Sequence, residues 1–421
     1  MSGTTNSGRV PRLRFPEFRD DWAVEKLGEL GKLSGGGTPD KSVAEYWQGD
    51  IPWVSSSDIY EDDIYTISVT RFINKNSISE SATKIVPKGS VLFVSRVGTG
   101  KLAVNDREVC TSQDFMNFIP KKVSSYFLGY FFIANKSALV SLGQGTSIKG
   151  FSKGDLEKLE VSFPSEPEQQ QIADCLSSLD KLITLEAQKL DALKTHKKGL
   201  MQQLSPAEGE TVPRLRFPEF RGAGGWDTKQ LEEFAVIVRG GSPRPIEAFL
   251  TTDHNSINWL KIGDIDKESK FITATQEKVI PAALSKTRVV YPGDLILSNS
   301  MSFGRPYILK IETCIHDGWI AISEIHADID RDYLYYLLMT SDSQEYFSSN
   351  AAGSGVQNLN ADIIKRLPIP YPGIKEQQKI ADCLSSLDDL ITAQDRKIES
   401  LKTHKKGLMQ QLFPVLEDTV A

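Results

Sequence analysis

The feature that most constrains this chain of 421 residues is that it is written twice. LKTHKKGLMQQL fills positions 193–204 and recurs, letter for letter, at 401–412. The repeat belongs to a longer one: QIADCLSSLDKLI begins at Gln171 and KIADCLSSLDDLI at Lys379, the same separation of 208. Upstream, VPRLRFPEFR starts at Val10 and again at Val212, a separation of 202. A chain with such self-similarity must build one fold twice.

Between these blocks a skeleton survives. Gly36-Gly37-Thr38-Pro39 matches Gly240-Gly241-Ser242-Pro243, and IPWVSSSDI from Ile51 matches INWLKIGDI from Ile257. VPKGSVL at 86–92 matches VYPGDLI at 290–296, and Gly100-Lys101 matches Gly304-Arg305. The four cysteines are two positions seen twice, Cys110 on Cys314 and Cys175 on Cys383. Each unit closes with a Gly-rich loop, GQGTSIKG or GSGVQNLN, then a short strand-like segment ending in Phe163-Pro164 or Tyr371-Pro372. Constant framework with divergent loop interiors is the pattern of two modules that share a scaffold and bind different things.

The constant closing segment reads as a long helix. Ile172, Leu176, Leu179, Ile183, Leu190, Leu193, Leu200 and Leu204 alternate spacings of four and three, with Glu186 and Lys197 interrupting. The second copy repeats the seam at Ile380, Leu384, Leu387, Ile391, Ile398, Leu401, Leu408 and Leu412, interrupted by Gln394 and Lys405. Such a narrow stripe sustained over four heptads predicts a helix of about 37 residues, roughly 55 Å long. The nearest cover for one seam is the other, and antiparallel pairing would set Glu186 near Gln394. The pair would then hold the modules at a fixed separation, as a ruler. Lys197-Lys198-Gly199 and Lys405-Lys406-Gly407 sit near the helix ends. The cations suit either the helix dipole or a docking partner. A glycine costs about 1 kcal/mol against alanine there, which points to fraying or to a close-packed partner backbone.

Composition excludes more than it proposes. The formal charge is -6, so binding to nucleic acid needs local clusters of Lys and Arg. The opening MSGTTNSGRVPRL has no apolar signal-peptide core, and no stretch approaches the roughly 20 apolar residues of a membrane span, which predicts a cytoplasmic protein. There is no CxxC and the five histidines are scattered, so no metal site is expected. SRVGTGKL from Ser95 imitates a phosphate loop but lacks the first glycine, and Leu102 replaces the Ser/Thr. No nucleophile elbow, HExxH or amino-methyltransferase motif is present. What remains is binding material: SGGGTPDKSVAEYW and RGGSPRPIEAF join glycines that permit close backbone approach to Thr, Ser, Lys, Arg and aromatics.

These residues resemble those of the specificity subunit of a type I restriction-modification system, over almost the whole chain. The resemblance is carried by Gly36–Pro39 with Tyr46-Trp47 and IPWVSSSDI, the Gly143–Lys149 loop, and EPEQQQIADCLSSLD. In the second unit it is carried by Gly240–Pro243, INWLKIGDI, the Gly353–Asn360 loop and IKEQQKIADCLSSLD. The second unit departs in reading GGSPRPIEAFL where the first has its Tyr-Trp form. The resemblance implies a noncatalytic, DNA-binding subunit of α+β class. Two tandem α/β target-recognition domains would be joined by two long antiparallel coiled-coil helices with pseudo-two-fold symmetry.

On that reading, residues 10–165 and 207–373 are the recognition domains and 166–206 and 374–414 the spacer helices. Each domain would read one half of a bipartite, asymmetric site on double-stranded DNA, and the helices would set the gap, within about 16 base pairs. Candidate DNA contacts are Thr38, Lys41, Arg96, Lys101, Gln144, Thr146 and Lys149 in the first module. In the second they are Arg239, Ser242, Arg244, Lys261, Asn299, Arg305 and Asn358. Arg and Lys suit guanine edges or phosphate, Asn and Gln adenine. The resemblance further implies two modification (methyltransferase) subunits and restriction (translocase and nuclease) subunits as partners. S-adenosylmethionine, ATP and Mg would belong to those partners and no cofactor to this chain. Lys197, Lys198, Gly199, Lys405, Lys406 and Gly407 are the candidate docking residues. The competing reading is a coiled-coil adaptor with two protein-binding modules.

Overall fold

The computed structural model describes residues 10–143, 150–266, 269–299, 303–351 and 359–416. The chain is α+β, and its contacts group it into two compact units. One runs to Ala187 and resumes at Arg396; the other is Gln188–Asp395. Each unit therefore holds one module, the first half of the long helix that follows it, and the last half of the other long helix.

In the first unit two sheets carry the module. One is antiparallel, in the order Gly31–Gly35, Phe115–Pro120, Val91–Val94, Leu102–Val104. The other runs Arg71–Ile73, Ile51–Val54, Val109–Thr111, Ile85–Val86, with Ile51–Val54 and Val109–Thr111 parallel. Val91–Val94 is buried at every position, as a central β-branched and aromatic strand should be. Helix Ser125–Ala134 begins where the Ser124 hydroxyl accepts the Phe127 N–H. It lays Phe127, Phe131 and Phe132 against the sheet, with Phe132 edge-on to Phe93 at 5.0 Å.

The second unit builds the same pair of sheets from Val236–Arg239, Trp319–Ser323, Leu295–Ser298, Pro306–Leu309 and from Glu277–Val279, Ile257–Leu260, Thr313–Ile315, Arg288–Val290. It adds one edge strand to each, Phe271–Ile272 and Leu250–Thr251. Helix Arg331–Leu338 takes the place of the aromatic helix and is capped by Asp330, which accepts the Tyr333 N–H.

The long helices are Glu166–Gln203 and Ile374–Leu412. The only proline in the first, Pro167, lies in its opening turn, where no intrahelical donor is lost. Every seam position in both helices is buried or half-buried. Within the first unit the halves run antiparallel, because Asp180 meets Lys405 while Glu186 meets Lys397. Within the second unit Lys197 meets Asp388, and Met201 and Leu204 join Ile380 and Leu384 in one core.

The three repeated blocks are the three pieces of one joint. In the first unit Arg14 of VPRLRFPEFR grips Glu168 with two bonds of 2.7 and 2.8 Å, while the Leu13 N–H donates to the Gln411 carbonyl at 2.9 Å. The decapeptide thus straps the start of one helix to the end of the other. Gln169 accepts the Ser124 N–H and donates to the Pro164 carbonyl, both at 2.8 Å, which seats the helix start on the module. Met409, Leu412 and Phe413 complete the core beneath Phe127 and Phe131. The second unit repeats the joint with Arg216 on Glu376, Leu215 on Gln203, and Gln377 between Asp330 and Pro372. Arg216 and Glu376 are almost fully buried, and their bidentate geometry offsets the desolvation.

Candidate nucleic-acid interface

In each module the glycine loop is pressed against the turn where the chain crosses from one sheet to the other. Gly36 donates to the Phe115 carbonyl at 3.2 Å and Gly37 to the Thr111 carbonyl at 2.8 Å, so these two residues bridge both sheets. In the second module Gly240 and Gly241 do the same to Trp319 and Ile315, at 2.9 and 3.1 Å. A Cβ on Gly36 would stand 2.1 Å from the Ser112 carbonyl oxygen, and one on Gly240 the same 2.1 Å from that of His316. Glycine is required here by close approach.

That contact brings the next residue of the loop onto the crossing turn. In the first module the Thr38 hydroxyl donates to the Gln113 side-chain oxygen. In the second the Ser242 hydroxyl donates to an Asp317 carboxylate oxygen at 2.7 Å. Asp317 also gathers three other groups: the Arg244 guanidinium lies 3.5 Å from its carboxylate, while Arg239 Nε and Asn299 Nδ2 donate to its carbonyl at 2.8 and 2.9 Å. The Ser242 hydrogen bond holds the Asp317 carboxyl below the usual carboxylate range. His316 is neutral-leaning: burial lowers its pKa, and its Nδ1 accepts the Gly318 N–H at 2.8 Å.

The adjoining strand ends contribute a second cation site. Arg71 lies 2.9 Å from Asp58, touches the Ser55 hydroxyl, and stacks 4.7 Å from the Trp53 ring. In the second module the register places Glu277 beside Trp259 where Arg71 stands beside Trp53, and Lys261 reaches Glu277 at 2.6 Å. The cation has moved from one strand to the residue that follows its neighbour.

The structure therefore gathers Arg239, Ser242, Arg244 and Asn299 at one corner and places Thr38 at its counterpart. Lys261 immediately follows the strand that pairs alongside Cys314, and Arg96 follows Ser95, whose hydroxyl donates to the Asp114 carbonyl. Lys41, Arg96, Arg239 and Arg244 are exposed. Lys101 instead bends back to the Ile59 carbonyl at 3.3 Å, and Arg305 is half-buried with its guanidinium 5.7 Å from the Tyr307 ring. Asn299 is 2% exposed with its side-chain amide donated to Asp317, so it braces the corner and is not a base-reading group. Gln144, Thr146, Lys149 and Asn358 lie outside the described residues. Gln113, Asp317 and Arg71 escaped the sequence reading, although counting three residues on from the matched Cys110 and Cys314 would have found the first two.

The docking candidates also divide. Lys197 and Lys405 are corrected to internal roles: each pairs with an aspartate, Asp388 or Asp180, and lies 5.1 or 5.2 Å from a tyrosine ring. Lys198 and Lys406 are exposed, and a Cβ added to Gly199 or Gly407 would meet nothing within 4 Å. Gly199 also lines a surface cleft with Gln202, Gln203, Pro206, Arg214 and Thr340.

Among the described residues no group of three or more His, Cys, Asp or Glu side chains could hold a metal ion. All four cysteines are free, and burial pushes the Cys110 and Cys314 thiols up to about 11, far from a reactive thiolate. No described helix is long and apolar enough to cross a membrane.

Comparison with known proteins agrees with this arrangement. The profile of the type I restriction modification DNA specificity domain matches residues 19–195 and again 223–403. The MjaIX specificity subunit of Methanocaldococcus jannaschii is 33% identical over 246 residues, covering 56% of this chain and 55% of that protein. The MjaVIII specificity subunit of the same organism is 25% identical over 95% of this chain and 93% of its own length. Among solved structures, the specificity subunit of a type I system from M. genitalium aligns over 97% of this chain and all of its own, with a TM-score of 0.57 at 16% identity. A chain from a type I system solved to explain complex assembly and conformational transition aligns over 93% and 97%, with a TM-score of 0.63 at 18% identity. The duplicated joint, the duplicated glycine-walled corner and the two-copy match together make the chain a member of the type I restriction-modification DNA specificity family.

Proposed function

We propose that the chain is the noncatalytic specificity subunit of a type I restriction-modification complex, each module reading one half of a split, asymmetric site on double-stranded DNA. One observation carries this reading. The joints that seat the helices are near-identical in the two units, whereas the corners beside the glycine loops keep their backbone and change their polar side chains. A scaffold held constant around two different polar surfaces suits two different half-sites.

The exposed Lys and Arg at these corners supply phosphate or base contacts despite the net charge of -6. The two continuous helices set the gap between the half-sites. Two modification subunits dock on the repeated helical surface around Lys198, Gly199, Lys406 and Gly407, and the restriction subunits join the larger assembly. S-adenosylmethionine, ATP and Mg are held by those partners, and the complex works in the cytoplasm.

The test is selection from a randomised duplex library by the purified chain, alone and with modification subunits. Enrichment of one split motif, with a fixed gap, is expected with the modification subunits present. No enriched motif in either arm would refute the reading.

A further inference from the structure

At the crossing turn the two modules share backbone geometry and yet differ in charge. Gln113 and Asp317 occupy it, each three residues beyond a buried cysteine and each accepting from the residue that follows the glycine pair. Around them the neighbours change in concert. Where the second module has Arg239 and Arg244, the first has Gly35 and Asp40. The supporting contacts are meanwhile preserved down to the 2.1 Å approach that excludes a Cβ. A structural turn does not require a neutral amide in one copy and, in the other, a carboxylate beside Arg244.

Resting on the DNA-reading function proposed above, we infer that this turn residue determines which base each module accepts at one position of its half-site. Gln113 is exposed, and Thr38 holds its amide by the oxygen. A side-chain amide suits the N7 acceptor and N6 amino group of adenine. Asp317 works through its neighbour: it is a positioning residue that braces Arg244, whose side chain is 83% exposed and whose guanidinium suits guanine.

The experiment is the same library selection on the full chain with modification subunits, comparing wild type with Gln113→Glu and Asp317→Asn. Both substitutions are near-isosteric, and thermal melting confirms the fold. Gln113→Glu is expected to shift one base-pair column in one half-site by about tenfold or more, leaving the other half and the gap unchanged. Asp317→Asn is expected to relax one column in the opposite half. If wild type enriches a split motif but both variants return the same columns with affinity reduced uniformly, or if both halves change together, the inference is overturned while the specificity function stands. If wild type enriches nothing, the function itself fails.

Discussion

Lys405 Nζ donates to the Asp180 carboxylate at 2.5 Å and lies 5.2 Å from the ring of Tyr130, whose hydroxyl donates to the same carboxylate at 2.6 Å. Lys197, Asp388 and Tyr336 repeat the triad in the other unit, with the tyrosine bond at 2.7 Å. Asp180 and Asp388 belong to the early part of one helix, and Lys405 and Lys197 to the late part of the other. Each triad therefore locks an outgoing helix end against the incoming helix and the aromatic helix of a module.

Removing the lysine strands a half-buried carboxylate. Lys405→Met should destabilise the first unit by about 2 kcal/mol, and Lys197→Met the second by a similar amount. Guanidinium unfolding of the full chain, followed by tryptophan fluorescence, measures both. An unchanged midpoint in either variant would show that the tyrosine bond alone holds the joint.

Gly36→Ala and Gly240→Ala test the glycine-walled corner. A methyl group 2.1 Å from a backbone oxygen must push the loop off the crossing turn, at an expected loss of about 1–3 kcal/mol for the module concerned. The functional signature is sharper than the stability loss. Gly36→Ala should weaken discrimination in one half-site and Gly240→Ala in the other, each read from the selected motif.

Protonation of His316 gives the second module a pH dependence that the first lacks, since Ser112 occupies the matching position. Burial lowers the folded pKa of His316 below its ordinary value of about 6.5. The unfolded chain therefore binds the proton more readily, and stability present above pH 6.5 is lost as pH falls from there towards the folded value. Protonation also removes the acceptor of the Gly318 N–H. Thermal melting from pH 8 to 5 should show this decline, and His316→Asn, which keeps an acceptor and cannot titrate, should flatten it.

The seam, the duplicated modules and the glycine requirement were legible in the residues because each is a local or periodic signal. The spacing of Ile172, Leu176, Leu179 and Ile183 needs no partner to be recognised as a helix face. What the partner is does not follow from spacing, because an apolar stripe accepts any other; contacts such as Asp180 with Lys405 and Asp388 with Lys197 settle which halves meet within each unit. Those lysines read as surface cations because their aspartates lie about 200 residues away in sequence. Gln113 and Asp317 stayed hidden for the same reason. Their meaning depends on Thr38 and Ser242, which are brought to them by the glycine loop crossing between two sheets.

Gly199 and Gly407 sit inside continuous helices, where open space would accept a methyl group. Gly199→Ala should therefore stabilise the isolated chain by about 1 kcal/mol, measured as a rise in melting temperature. If modification subunits approach this surface closely, the same methyl should weaken assembly by tenfold or more, read by titrating those subunits onto the labelled chain. Stabilisation with undiminished assembly would place docking elsewhere on the helices.

The helices as a ruler admit a direct length test. A heptad adds about 10.5 Å, or roughly three base pairs, and turns the face by only about 20°. Inserting one heptad after Ala187 and another after Asp395 lengthens both helices while preserving the seam register on either side. The two insertions fall where the chain passes between its compact units, so the triads of Asp180 and Asp388 are untouched. The selected motif should keep both half-sites and widen the tolerated gap by about three base pairs. Half-sites retained at the original gap would refute the ruler, because distance would then be set by something other than helix length.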